Sequence, residues 1–220
     1  MTIRAVFFDL DGTLVDSLPD LTDAANHMRE TFSRPPLTLA EVRLKVGKGA
    51  RNLVQQALPG ATEDDIDRAL SLFLDFNREH IADKSRLYPG IPELLHELAA
   101  RDIKMAVITN KNEDLSALIL QVLGLSPLVA AIAGGDTFPE RKPSPLPLLK
   151  IAALLGVAPA ECLMVGDSIN DFAAARQAGI ASIGCAWGYG SAEELGEADI
   201  PAGTPDELLA AITAVSGNVP

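Results

Sequence analysis

The hydrophobic positions of this chain fall into two textures. Near the N-terminus, Ala5-Val6-Phe7-Phe8 is an unbroken apolar run, short enough for a strand and apolar enough to need cover on both faces. From about Tyr88 onward, short apolar runs alternate with stretches of helical period, a pattern of βαβ units around a parallel sheet. Strands are predicted at residues 4–8, 104–108, 129–133, 162–165 and 180–184. The punctuation agrees. Pro92 suits the opening turn of a helix, and Gly124, Gly156 and Gly179 stand where C-terminal caps belong. Thr204, Pro205 and Glu207 compose the capped start of a last helix.

Between Asp16 and about Arg86 no strand-like run appears, and the period is helical throughout. Thr38 and Glu41 make a capping box, Gly47-Lys48-Gly49 and Pro59-Gly60 interrupt, and Thr62 followed by acids opens a longer helix. Residues 1–15 and 86–220 therefore read as one α/β core, with 16–85 as an inserted all-helical domain placed to act as a lid. No internal repeat or heptad run is present.

Composition narrows the function classes. A chain of 220 residues that is 48% hydrophobic can bury a sizeable core. A formal net charge of −12 argues against nucleic-acid and anionic-membrane partners, which need a basic surface. An anionic ligand would have to find positive charge locally. Cys162 and Cys185 lie within or beside apolar runs and form no Cys-x-x-Cys pair, so buried free thiols in a reducing, cytoplasmic setting are expected. His27, His80 and His96 share no ligand spacing and read as structural. Neither a signal-peptide core nor a run of the roughly 20 apolar residues needed to span a bilayer is found. A monomer and a homodimer are both compatible with the sequence.

The chemistry sits where the predicted strands end. Phe8 is followed at once by Asp9-Leu10-Asp11-Gly12-Thr13. Asp-Gly between apolar runs can mark a hairpin, but a helical pattern follows where a second strand would be expected. Other strand ends or nearby loops carry Thr109-Asn110-Lys111, Lys142-Pro143 and Gly166-Asp167-Ser168-Ile169-Asn170-Asp171. A parallel sheet brings its strand C-termini to one edge, where ligands bind in open α/β folds. Each group suits a phosphoryl ligand. Asp9 is a candidate nucleophile, and Asp11 a candidate acid and base for the leaving oxygen and the attacking water. The Thr109 hydroxyl, backbone amides at Asn110 and the Lys142 ammonium can hold phosphoryl oxygens. Magnesium between the nucleophile and the substrate, held by Asp9 and Asp167, would relieve the repulsion of their like-charged oxygens.

Taken together, these four segments resemble the ordered motifs of the haloacid dehalogenase superfamily. The resemblance spans nearly the whole chain and implies a Rossmann-like core with a helical cap. It implies Asp9 as nucleophile, Asp11 as acid/base, and Thr109 and Lys142 on the phosphate. Magnesium would be bound by Asp9, the Asp11 carbonyl and Asp167, with Asp171 orienting or water-bridging to it. The presence of Asp11 points to phosphoryl rather than dehalogenase chemistry. Val46 to Val54, the Thr-Asn-Lys strand end and Ala186 to Gly190 are similar to bacterial phosphoglycolate phosphatases, which implies a small phosphorylated metabolite as substrate. In the cap loop, Lys48 and Arg51 are placed either to pair with a substrate carboxylate or to stay solvated. Trp187 and Tyr189 read as packing residues beneath the site. A sugar phosphomutase, a pyrophosphatase and an inactive phosphate-binding module are the competing readings.

Overall fold

The computed structural model describes residues 2–217. In chain order the elements are β1 (Ala5–Phe8), β2 (Val15–Asp16), α1 (Leu18–Thr31), α2 (Leu39–Arg43), α3 (Ala50–Ala57), α4 (Glu63–Glu79) and β3 (Arg86–Leu87). Then follow α5 (Ile91–Ala100), β4 (Lys104–Ile108), α6 (Glu113–Val122), β5 (Ala131–Ala133), α7 (Leu146–Leu155) and β6 (Cys162–Gly166). The chain closes with α8 (Ile169–Ala178), β7 (Ala181–Cys185), α9 (Ala192–Leu195), β8 (Ile200–Ala202) and α10 (Pro205–Gly217). Six strands form one parallel sheet in the order β5-β4-β1-β6-β7-β8.

The period of two along each central strand divides the core in half. Val6 and Phe8 of β1, Met105 and Val107 of β4, and Leu163 and Val165 of β6 join the cluster that includes residues of α5, α6 and α10. Ala5 and Phe7, Ala106 and Ile108, and Cys162 and Met164 join the opposite cluster with α7 and α8. Both faces are covered, which is why these strands read as continuous apolar runs. Burying Phe7 and Phe8 contributes roughly 2–3 kcal/mol each.

Helices α1 to α4 lie between β2 and β3 and bury a third cluster of their own, built on Met28, Val54, Ile66 and Phe73. The two chain crossings that reach this layer are tied together. Buried Asp20 accepts hydrogen bonds from Ser85 N (2.7 Å), Ser85 Oγ (2.6 Å) and Lys84 N (3.0 Å).

Several expectations are corrected at the edges. The segment after the Asp-Gly turn does pair: Val15 and Asp16 form an antiparallel ladder with Leu87 and Arg86, at both boundaries of the helical segment. Two residues are too few to register as a strand pattern. Strand β8 went unread because Pro201 interrupts it, and it is tolerated because β8 is an edge strand. The strand expected at 129–133 shortens to Ala131–Ala133, and the one at 180–184 shifts by one residue. The Thr38/Glu41 capping box forms, Thr62 caps α4, and Gly156 and Gly179 end their helices in the left-handed region. In contrast, the Glu207 carboxylate turns to Gly203 N (2.7 Å) while its own amide takes Thr204 Oγ1.

Both cysteines are buried and free. Desolvation raises the Cys162 thiol to about 11, so it stays protonated at neutral pH. His27 and His80 flank the Phe76 ring, and His96 bonds the Pro92 carbonyl. Among the described residues no helix is long and apolar enough to cross a membrane.

Candidate active site

Strand register assembles the site. Phe8 lies opposite Val107 on one side and Val165 on the other, so Asp9, Thr109 and Asp167 emerge together at the C-terminal edge of the three central strands. Thr109 and Asp167 are nearly as buried as the strands beneath them. Gly12 follows with φ of +91°, and a side chain there would meet Asp167 Oδ2 at 2.5 Å. Only glycine lets the turn pass so close to that carboxylate.

The centre is a buried charge cluster. Lys142 Nζ donates to Asp9 Oδ1 (2.9 Å), Asp171 Oδ1 (2.5 Å) and the Ile108 carbonyl (2.5 Å). Asp171 Oδ2 accepts from Ser168 N (3.1 Å) and Oγ (2.8 Å), the capping box of α8. Asp167 Oδ1 accepts from Thr13 Oγ1 (3.0 Å), and its Oδ2 from Tyr189 N (2.7 Å) and Gly190 N (3.3 Å).

Three carboxylates against one ammonium leave an excess of two negative charges when all are ionised. Burial, reinforced by Asp9 and Asp171, raises the Asp167 carboxyl to about 8. Burial also raises Asp9 to about 6, with Lys142 opposing and Asp171 adding to the rise. For Lys142, desolvation acts to lower the ammonium, but the two aspartates outweigh it and hold it above its usual value. One oxygen each from Asp9, Asp167 and Asp171 lie within 4.8 Å of one another, so a hard divalent cation fits both the donor set and the charge excess. The Asp11 carboxylate is not part of this group. It accepts from Ser17 Oγ (2.6 Å) and lies 3.4 Å from Lys111 Nζ.

Helices α1, α3 and α4 roof the cleft above these groups, with Leu21, Leu53 and Phe73 opposite Asp9, Asp11 and Thr109. Two buried carboxamide oxygens on this cleft, Asn77 Oδ1 and Asn110 Oδ1, have no hydrogen-bond partner among the described residues. Orphaned acceptors of this kind are costly unless a ligand or water meets them. The Asn110 amide is otherwise committed to structure: its Nδ2 joins the Gly47 and Lys142 carbonyls, both at 2.9 Å. Lys48 borders the second mouth of the cleft, with Arg43, Asp9 and Asp11. Arg51 does not. Its guanidinium is held by Asp67 (2.5 Å) and Glu63 (2.6 Å) on the outside of α4.

A model of the haloacid dehalogenase-like hydrolases matches residues 3–179. The chain belongs to that family. The phosphoglycolate phosphatase of Chromobacterium violaceum is 46% identical over 211 residues, covering 94% of this chain and 95% of the relative. That of Neisseria gonorrhoeae is 40% identical, covering 99% of this chain and 93% of its own. In three dimensions the chain is similar to a predicted phosphoglycolate phosphatase from Haemophilus somnus, with a TM-score of 0.91, 32% identity and coverage of 96% and 98%.

Within this haloacid dehalogenase-like hydrolase, some contacts were not read from sequence. Lys111, in the Thr109-Asn110-Lys111 strand end, is the cation beside Asp11, a role its sequence position does not signal. Ser17, one residue past β2, holds the Asp11 carboxylate through its hydroxyl, a contact that no local pattern marks. Tyr189 does more than pack. Its hydroxyl accepts from Ser17 N (2.8 Å) and Leu18 N (2.9 Å) and donates to Asp16 Oδ1 (3.0 Å). Trp187 matches its expected place, with Nε1 on the Thr13 carbonyl.

Proposed function

We propose that this hydrolase is a magnesium-dependent phosphatase that cleaves 2-phosphoglycolate, or a phosphate ester of similar size, through an aspartyl-phosphate. The observation that carries the reading is the Asp9 carboxylate at a strand C-terminus, held by a buried lysine and grouped with Asp167 and Asp171. The identity to phosphoglycolate phosphatases along nearly the full chain supports the substrate. Intact acids and lysine argue against an inactive phosphate-binding module.

Asp9 attacks phosphorus, and the P–O bond to the leaving group breaks. Asp11, steadied by Ser17 and Lys111, gives its proton to the departing oxygen. The same carboxylate then takes a proton from water, which attacks the phosphoryl group on Asp9 and regenerates it. Lys142 neutralises Asp9 and a phosphoryl oxygen, and Thr109 at the end of β4 supplies a hydroxyl to another. Magnesium would be held by Asp9, the Asp11 carbonyl and Asp167, and when bound it keeps the carboxylates ionised while neutralising phosphoryl charge. Asp171 serves mainly to orient Lys142, since both of its oxygens are engaged within the protein. Residues 16–85 act as a cap over this chemistry, excluding bulk water. The test is phosphate release from a panel that includes 2-phosphoglycolate, hexose phosphates and pyrophosphate, with and without magnesium. Activity untouched by a chelator would sink the mechanism. Turnover of an activated sugar phosphate without net phosphate release would reassign the chain to mutases.

Cation affinity should be strongly pH-dependent. With Asp167 raised to about 8 and Asp9 to about 6, a cation must displace a proton from the first below pH 8 and from the second below pH 6. Apparent magnesium affinity therefore falls by about tenfold per pH unit from 8 to 6, and more steeply below. The sign for stability is opposite in the metal-free protein: the folded state binds protons that the unfolded state has lost above the ordinary carboxyl value of 3.8, so stability declines as pH rises from there to about 8, most steeply below about 6 where both carboxyls contribute. Magnesium titration by calorimetry at pH 6, 7 and 8 checks this, and a flat affinity contradicts it.

Substrate preference should reside in Lys48 rather than Arg51. Lys48→Ala is expected to raise KM for 2-phosphoglycolate about tenfold, the worth of one charged hydrogen bond, with little change for an uncharged aryl phosphate. Arg51→Ala should leave both KM values near wild type, since its guanidinium is occupied by Glu63 and Asp67. Equal effects on the two substrates would assign Lys48 to general electrostatics.

A further inference from the structure

We infer that Tyr189 is a positioning residue that, together with Arg43, ties the geometry of Asp167 to the seating of the helical insert on the core. This rests on the cation-site reading given above and extends it to residues outside the carboxylate cluster itself.

Three groups of one residue point in three directions. The Tyr189 amide donates to Asp167 Oδ2 (2.7 Å). Its carbonyl accepts from Arg43 Nε (3.0 Å), and Arg43 Nη2 donates to the neighbouring Gly188 carbonyl (2.9 Å). Its hydroxyl is bound by the amides of Ser17 and Leu18, where β2 passes into α1, and bonds Asp16. Ser17 in turn holds Asp11. The insert thus reaches Asp167 through Arg43 at the end of α2 and through residues 16–18 at its start, and both routes meet at Tyr189.

The loop that carries Tyr189 has no slack to absorb a displacement. A Cβ on Gly190 would fall 1.8 Å from the Asp167 carbonyl, and one on Gly188 would fall 2.4 Å from Asp167 Cβ. A shift of this loop is therefore transmitted to Asp167. When the insert lifts, the Arg43 bonds break and residues 16–18 rotate, so the Tyr189 amide leaves its place on Oδ2. Orientation of a ligating carboxylate by its hydrogen-bond donors is a substantial part of metal affinity. By reciprocity, a cation bound at Asp167 favours the seated insert.

Arg43 offers a test in which electrostatics and positioning predict opposite signs. It lies on the exposed side of the cleft, so Arg43→Ala leaves the core intact. Removing a positive charge near three carboxylates should by Coulomb's law tighten cation binding. Loss of positioning should weaken it. Magnesium alone is titrated calorimetrically, without substrate, into wild type, Arg43→Ala, Tyr189→Phe and the double variant. The expected result is a loss of about tenfold in affinity for each single variant, with no further loss in the double, because both act on one loop. Arg43→Lys, able to reach one carbonyl instead of two, should recover part of it. Unchanged or tighter binding by Arg43→Ala, or losses that multiply in the double variant, would overturn the coupling. Absence of magnesium binding by the wild type would remove the cation reading itself, which is a separate failure.

Discussion

Asp9→Asn is expected to abolish phosphate release, by about four orders of magnitude or more, without loss of folded protein. The carboxamide keeps the volume of the carboxylate and can still accept from Lys142, so the packing at the end of β1 survives. What disappears is the oxygen nucleophile, and with it the covalent route that divides one hard step into two. The charge balance sharpens the expectation. Burial raises the Asp9 carboxyl to about 6, with Lys142 opposing and Asp171 adding to the rise, so its ionised form is already disfavoured in the metal-free cluster. Removing that charge relieves repulsion on Asp167 and Asp171, so the metal-free variant should melt at or above the wild-type temperature. Single-turnover phosphate release and thermal melting on the same preparation separate the two effects. A variant that turns over within about tenfold of wild type would remove Asp9 as nucleophile.

Lys142→Met should lose both activity and stability. The ammonium satisfies Asp9, Asp171 and the Ile108 carbonyl at once and is almost fully buried. A thioether of similar length fills the space and leaves two carboxylates and a carbonyl facing it. Removing one partner of a buried ion pair costs roughly 3–5 kcal/mol. For a chain of this size that corresponds to a fall in Tm of about 10 °C. The cause can be separated from the loss of packing by a second substitution. Lys142→Met combined with Asp171→Asn removes the unpaired charge along with its partner, so stability should partly return while activity does not. A Lys142→Met protein that melts within a degree or two of wild type would show that the cluster is not held as described.

The parts of the fold legible in sequence were those encoded by short-range pattern. Ala5 to Phe8 announces a strand covered on two faces because every residue is apolar, and the capping box at Thr38 announces a helix start within four residues. The acids after Phe8 were legible for a related reason, since a buried strand can place polar groups only where it ends. Arg51 shows where this kind of reading stops. Its spacing from Lys48 suggested a shared ligand, but Glu63 and Asp67, on the next helix, offered a nearer partner that no local pattern reveals. Tyr189 is the complementary case. Its amide, carbonyl and hydroxyl serve Asp167, Arg43 and residues 16–18, contacts that span up to 173 positions and leave no periodic trace. The two-residue pairing of Val15–Asp16 with Arg86–Leu87 is likewise too short to leave an alternating pattern in the sequence.

The alternation that splits the sheet between two helix layers also constrains how this chain can evolve. Asp9 stands one residue beyond Phe8, and Asp167 two beyond Val165, so catalytic direction and core filling share a single phase along each strand. One residue gained or lost within β1 would exchange the Phe7 and Phe8 layers and take Asp9 off Lys142 in the same event. Small drifts in the reaction centre are therefore lethal to folding before they can be tried as chemistry. The helices between β2 and β3 carry their own apolar centre and are under no such lock. New substrates are open to this lineage through that layer, while the phosphoryl chemistry below it stays in register.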